Sequence, residues 1–327
     1  MARRPRRAAR SSVLVTAGPP PAFGPAAAFG CVLICAAYVL AAAGLRRRGD
    51  AWPWARDCAF AAGGAALLWG LCGRLPGGPF TAHSVRHLLI AMAGPVLLVI
   101  ARPLTLTLRV LPPGRVRRGL VGVAHSAPVG WLLFPPAAAV VDIGGLWVLY
   151  RTDLLSATHH HPVISRLTDL HLLVAGLLFS FAVCQLEPVR RRWGLPLRAA
   201  TLLAAGAAHA VLAKSLYAAG PPGSVFEARD LRLGAQVMYY GGDAVEVVLA
   251  LVLAVRWYAA TGRRRGRRTA SSVRGGAGGT RAQGAPHGYR GVPPAGPAPG
   301  RSRGGAHLTE RVPARGIPSR GADRPQA

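Results

Sequence analysis

Seven apolar stretches, each close to the length of a membrane-crossing helix, succeed one another between Ala22 and Tyr258. A bilayer core about 30 Å thick takes about 20 mainly apolar residues per helix. Backbone polar groups in lipid must be satisfied within the segment itself, so apolar runs of this length become helices. The stretches run Ala22 to Leu45, Cys58 to Leu75, Ala82 to Ala101, Trp131 to Tyr150, Leu167 to Leu186, Pro196 to Tyr217 and Leu233 to Tyr258. They predict an all-α fold, a polytopic membrane bundle of about seven transmembrane helices.

Arginine placement orients this bundle, because short loops rich in Lys and Arg stay in the cytoplasm. Arg46, Arg47, Arg48 and Arg56 lie in the first loop; Arg102, Arg109, Arg115, Arg117 and Arg118 in the third; Arg190, Arg191, Arg192 and Arg198 in the fifth. Arg263, Arg264, Arg265, Arg267 and Arg268 follow the last run. These mark the inside, so the N-terminus is expected outside and the C-terminus in the cytoplasm. Arg3, Arg4, Arg6, Arg7 and Arg10 oppose that orientation, and translation is expected to begin after them. Three parts result: a basic arm over 1–21, a membrane domain over 22–260 and a Gly/Arg/Pro-rich tail over 261–327. The tail cannot bury enough apolar surface to offset chain entropy and is expected to be disordered.

The net charge of +28 follows membrane sidedness. No folded basic module with interleaved aromatics accompanies it, so the expected partner is the anionic inner leaflet rather than nucleic acid. Cys31, Cys35, Cys58, Cys72 and Cys184 all fall inside or at the edge of apolar runs, where thiols pack as small apolar groups. Metalloprotease, nucleophile-elbow and phosphate-loop motifs are missing, and no enzymatic activity is expected.

Histidines supply the chemistry. The topology gathers His83, His87, His159, His160, His161 and His171 at the outer end, with His209 on the same side. Neutral imidazole is a common ligand for copper, zinc and haem iron. His83 and His87, four apart, share one helix face. His159 and His160 read as a solvated loop. His161 precedes a proline, which holds it extended, and His171 lies about one turn into its span. Met238 and Cys72 are possible soft ligands at the same end. Lys214, Asp230, Asp243 and Glu246 lie in or beside the last two runs, where ionisable groups need partners; an ion pair of His209 or Lys214 with these acids would lock the two helices together. Asp142 sits midway through the fourth run with no evident partner.

Four blocks carry a family resemblance: F-T-A-H-S-V-R-H-L-L-I-A-M-A-G-P at Phe80–Pro95, with Arg102-Pro103 after it; H-P-V-I-S-R-L-T-D-L-H-L-L-V-A-G-L-L-F at His161–Phe179, with Glu187-Pro188 beyond; A-H-A at Ala208–Ala210; and D-L-R-L-G-A-Q-V-M-Y-Y-G-G-D at Asp230–Asp243. In order and spacing they resemble the seven-helix CtaG family of cytochrome c oxidase assembly proteins. The resemblance implies a plasma-membrane protein that helps copper reach the extracytoplasmic centre of a haem–copper oxidase, with oxidase subunits and copper chaperones as partners. The matched positions are His83, His87, His161, His171 and His209, with Asp230 and Met238 beside them; metal ligands are expected at those five histidines and Met238, with Asp230, Asp243 and Lys214 in support. The chain departs from the pattern at Ser165 and Asp169, where members often carry histidines, at Asp243, where glutamate is usual, and at Tyr239, where tryptophan is usual. Two other classes fit the same residues: a haem-binding membrane cytochrome or quinone-linked oxidoreductase, and a metal or proton transporter.

Overall fold

The structure, a computed structural model, describes residues 13–14, 25–188 and 191–279. The basic arm, its proposed start site, Arg190 and residues 280–327 lie outside the described residues, as does the second of two compact units, Ser271–Ala327, beyond its first turns. Apart from two short strands the described elements are helical. In chain order they are β1 (Val13–Leu14), α1 (Pro25–Arg47), α2 (Trp54–Cys72), α3 (Pro79–His87), a π-helical segment (Leu88–Ala93), α4 (Gly94–Ala101), α5 (Pro103–Val110), α6 (Arg115–Ala124), α7 (Ala127–Leu132), α8 (Pro135–Arg151), α9 (Leu154–His160), α10 (Pro162–Cys184), α11 (Leu195–Ala218), β2 (Ser224–Val225) and α12 (Ala228–Gly279). The strands pair in parallel, Val13 opposite Ser224.

Five helical segments are long and apolar enough to cross a membrane: Ala28–Arg47, Pro79–Val110, Pro162–Cys184, Leu195–Ala218 and Ala228–Gly262. Two expected spans fall short of that standard. Helix α2 opens on Arg56 and Asp57, and α8 has 17 residues. The exterior is apolar: Phe29, Ile34, Leu40, Val140, Leu203 and Leu251 are exposed. A water-soluble protein seldom leaves such large side chains uncovered along so many helices. Together these features describe a multi-pass membrane protein.

Helix boundaries correct several expectations. The fourth run does not begin at Trp131; the chain breaks after α7, and α8 starts at Pro135-Pro136. Proline suits a first helical turn, where its missing N–H costs nothing. The third run is interrupted by the π-helical segment. Pro95 has no N–H to give the Ala91 carbonyl, so one residue of slack accumulates just before it. Gly176 of α10 fills the space there, since an added Cβ would strike the Ala91 carbonyl. His159 and His160 belong to helix α9 rather than to an irregular loop. Helix α12 continues past its apolar part to Gly279, into the expected tail.

Helix α10 packs on α8, α4 and the π-helical segment, α11 packs on α8, and α2 joins α1 to the bundle through α4. Two carboxylates distant in sequence cap helix starts. Asp230, at the start of α12, accepts from Phe80 N (2.7 Å), Thr81 N (3.1 Å) and Thr81 Oγ1 (2.6 Å) at the start of α3. Glu187 accepts from Leu104 N (3.0 Å), Thr105 N (2.8 Å) and the Thr105 hydroxyl at the start of α5. Burial holds the Glu187 carboxyl above its usual value, an effect these hydrogen bonds offset only in part. The α5 start follows Arg102, which holds a left-handed conformation (φ 56°). At the same C-terminal end of α10 as Glu187, Arg256 and Arg198 donate to the carbonyls of Cys184, Gln185 and Val183. The bundle therefore has a histidine end, where α3, α10 and α12 begin and α8 ends, and an arginine end, where α4 and α10 finish and α11 begins.

Candidate functional site

At the histidine end, buried Phe80, Ile90, Leu146, Tyr150, Leu212 and Met238 form one apolar cluster. His87 from α3 and His209 from α11 are set beside it, each 1% exposed. Their rings lie 5.9 Å apart between centroids, 29° from parallel. The His209 Nδ1 to Glu246 Oε1 distance is 3.9 Å, beyond hydrogen-bond range. All four ring nitrogens of this pair are shielded from solvent and lack a hydrogen-bond partner.

Tyr150, itself fully buried, links the pair to His83. His83 stands edge-on to its ring at 5.6 Å and His87 at 6.4 Å. The Tyr150 hydroxyl and His83 Nε2 are likewise buried without partners. An unsatisfied buried polar group costs about 1–3 kcal/mol, and few native structures concentrate several in one place. Such a concentration of donors and acceptors is what a ligand site requires. Above it, His159 is half-buried. Burial and the neighbouring charge of His160 push its imidazole below the usual value, which keeps it neutral near pH 7.

The remaining expected ligands go elsewhere. His161 is exposed at the start of α10. His171 is exposed and lies over Gly145 of α8, where an added Cβ would meet its ring. Met238 is fully buried in the apolar cluster. Asp230 is the cap of α3. Lys214 is exposed and sits 5.2 Å above the Tyr239 ring, and the described contact of His209 with an acid is the long one to Glu246. Asp243 is partly exposed, one turn from Glu246. The structure thus brings His83 and His87 against Tyr150 and His209 against His87, and draws His161, His171 and Lys214 apart from them. Among the described residues, no group of three or more His, Cys, Asp or Glu side chains could hold a metal ion; the histidine arrangement is a pair with an approach.

Two further groups escaped the sequence. Asp169, one of the positions that depart from the family pattern, forms a buried ion pair with Arg86 at 2.6 Å, joining α10 to α3. One turn below His209, Asp142, Ser180, Gly206 and Glu246 line a cavity of about 20 Å³, room for a single water. Both could have been noticed as oppositely charged or facing polar residues within apolar runs, but their pairing is a matter of three dimensions.

Residues 36–260 match the profile of the cytochrome c oxidase caa3 assembly factor family. Similar curated proteins are described as uncharacterized. One from Mycobacterium bovis and one from Mycobacterium tuberculosis are each 34% identical over 188 residues, covering 55% of this chain and 28% of theirs. One from Mycobacterium leprae is 30% identical over 165 residues, covering 47% of this chain and 25% of its own. The match spans little more than a quarter of those relatives. No solved structure matches the chain.

Proposed function

The chain belongs to the cytochrome c oxidase caa3 assembly factor family, and from that premise we propose that it holds copper at the His87–His209 pair for insertion into a haem–copper oxidase. The observation that carries this reading is the pair itself: two buried imidazoles, 5.9 Å between centroids, with no partner on any ring nitrogen. Imidazole suits copper, and monovalent copper accepts as few as two ligands. With metal–nitrogen bonds of about 2 Å, two imidazoles sharing one ion stand about 6 Å apart. The protein binds and positions a cargo rather than catalysing a reaction.

On this reading the bundle crosses the plasma membrane seven times, with α2 and α8 supplying the two shorter spans. The histidine end faces outward and the arginine end faces the cytoplasm, in keeping with the basic loops and with inner-leaflet anionic lipids as neighbours. Oxidase subunits receive the copper and copper chaperones supply it. The transporter alternative draws support from the Asp142–Glu246 cavity, whereas a haem would need a slot for the porphyrin where Ile90, Leu212 and Met238 close the cluster.

Complementation of cells lacking the gene tests the proposal. At matched protein levels, His87→Ala and His209→Ala should each abolish oxidase activity, the double variant should lose no more, and excess copper should restore it. Normal activity in the double variant, with the protein inserted, would overturn the assignment.

A further inference from the structure

The ring nitrogens of the buried pair are shielded from water, so a cargo needs intermediate holding points. A continuous run of rings leads from the surface to it. His159 of α9 stands 6.5 Å from Phe226, Phe226 5.0 Å from Phe80, Phe80 6.3 Å from Tyr150, and Tyr150 5.6 Å from His83. His159 also lies within charge–charge range of His83. Its ring is half-buried, with Nε2 turned to the interior and without a hydrogen-bond partner. Its Nε2 therefore faces the protein while the residue as a whole stays partly open to water. Its neighbour His160 is simply exposed, so the inward position belongs to His159.

We propose that His159 is the entry ligand of this protein, which accepts a monovalent copper ion from the aqueous side and passes it to His83, and from there to His87 and His209. The inference rests on the copper reading of the His87–His209 pair. Each transfer is a ligand exchange: a bond from the metal to one imidazole nitrogen breaks as a bond to the next forms, the charge of the ion moves with it, and no proton or electron is exchanged. The aromatic edges of Phe226, Phe80 and Tyr150 wall the route and offer no competing strong ligand except the Tyr150 hydroxyl. Helix α9 is thus a receiving element, not a connector.

The full chain is purified in detergent and mixed with cuprous ion supplied as its acetonitrile complex, and retained copper is measured by elemental analysis after timed separation. Loss of a single coordinating step should slow uptake about tenfold in His159→Ala, in proportion to what a misplaced ligand environment costs, while final retention equals that of the unaltered chain. His160→Ala should take up copper at the unaltered rate. Thermal midpoints identify any variant that has lost its fold, and His159→Gln supplies a second one of similar volume. Equal uptake rates for the unaltered chain and both His159 variants, with copper retained, would overturn the entry role alone. Absence of retained copper in the unaltered chain would overturn the copper reading and this inference with it.

Discussion

Replacing Asp230 separates a capping role from a ligand role. Its carboxylate holds the first turn of α3 through Phe80 N, Thr81 N and the Thr81 hydroxyl, and all three residues are buried. In Asp230→Ala those donors lose their acceptor where water is scarce. Hydrogen bonds to a charged group are worth about 1.5–3 kcal/mol each, and loss of a helix cap alone costs about 0.5–2 kcal/mol. Because the three bonds share one carboxylate and are not additive, about 3–4 kcal/mol is expected. At about 2–4 °C per kcal/mol for a domain of this size, the unfolding midpoint in detergent should fall by roughly 10 °C. Asp230→Asn keeps one acceptor oxygen and should lose about a third of that. Thermal unfolding followed by thiol-reactive dye labelling of buried Cys184 reports the midpoint. If Asp230 were a metal ligand, both variants would lose copper at an unchanged midpoint, and that result would refute the capping argument.

Other consequences are as specific. Gly242 faces the His209 ring closely enough that an added Cβ would displace it, so Gly242→Ala should lower retained copper; Gly145→Ala displaces the exposed His171 instead and should leave retention unchanged, both read by elemental analysis. Removing Arg86 takes from the buried Asp169 carboxylate its guanidinium partner, so Arg86→Met alone should cost about 3–5 kcal/mol while Arg86→Met combined with Asp169→Leu recovers most of it, as measured by detergent unfolding. A reporter fused after Tyr258 should be active only in the cytoplasm and one placed beside His159 only outside; the opposite pattern would invert the proposed orientation.

Much of this arrangement is readable in the chain. Apolar runs located the starts of the long helices to within about five residues because length and hydrophobicity decide insertion before packing does, whereas α12 continues to Gly279, well past its run. Their ends were less legible where proline intervened: Pro135-Pro136 moved the start of α8, and Pro95 created the π-helical slack that a periodic pattern does not reveal. The buried stripe of α10, at Ser165, Asp169, Leu172, Gly176, Phe179 and Val183, sets His171 apart from His87 and His209. It falls off that stripe, whereas Ser165 and Asp169, the two positions departing from the family pattern, lie on it. Asp230 and Glu187 were noticed as family residues, but their capping partners are about 150 and 80 positions away in sequence, a proximity only the folded bundle creates. His209 and His87 were both recognised; that they face each other, and that His159 turns inward, needed the crossing of α3, α9 and α11.

The central claim is that the two buried imidazoles share one ion. Elemental analysis of detergent-purified protein after incubation with cuprous ion and removal of the excess tests it most directly. About one copper per chain should remain in the unaltered protein and in His171→Ala, and none in His87→Ala or His209→Ala with the fold intact. Copper retained equally in all four, or in none, would contradict it.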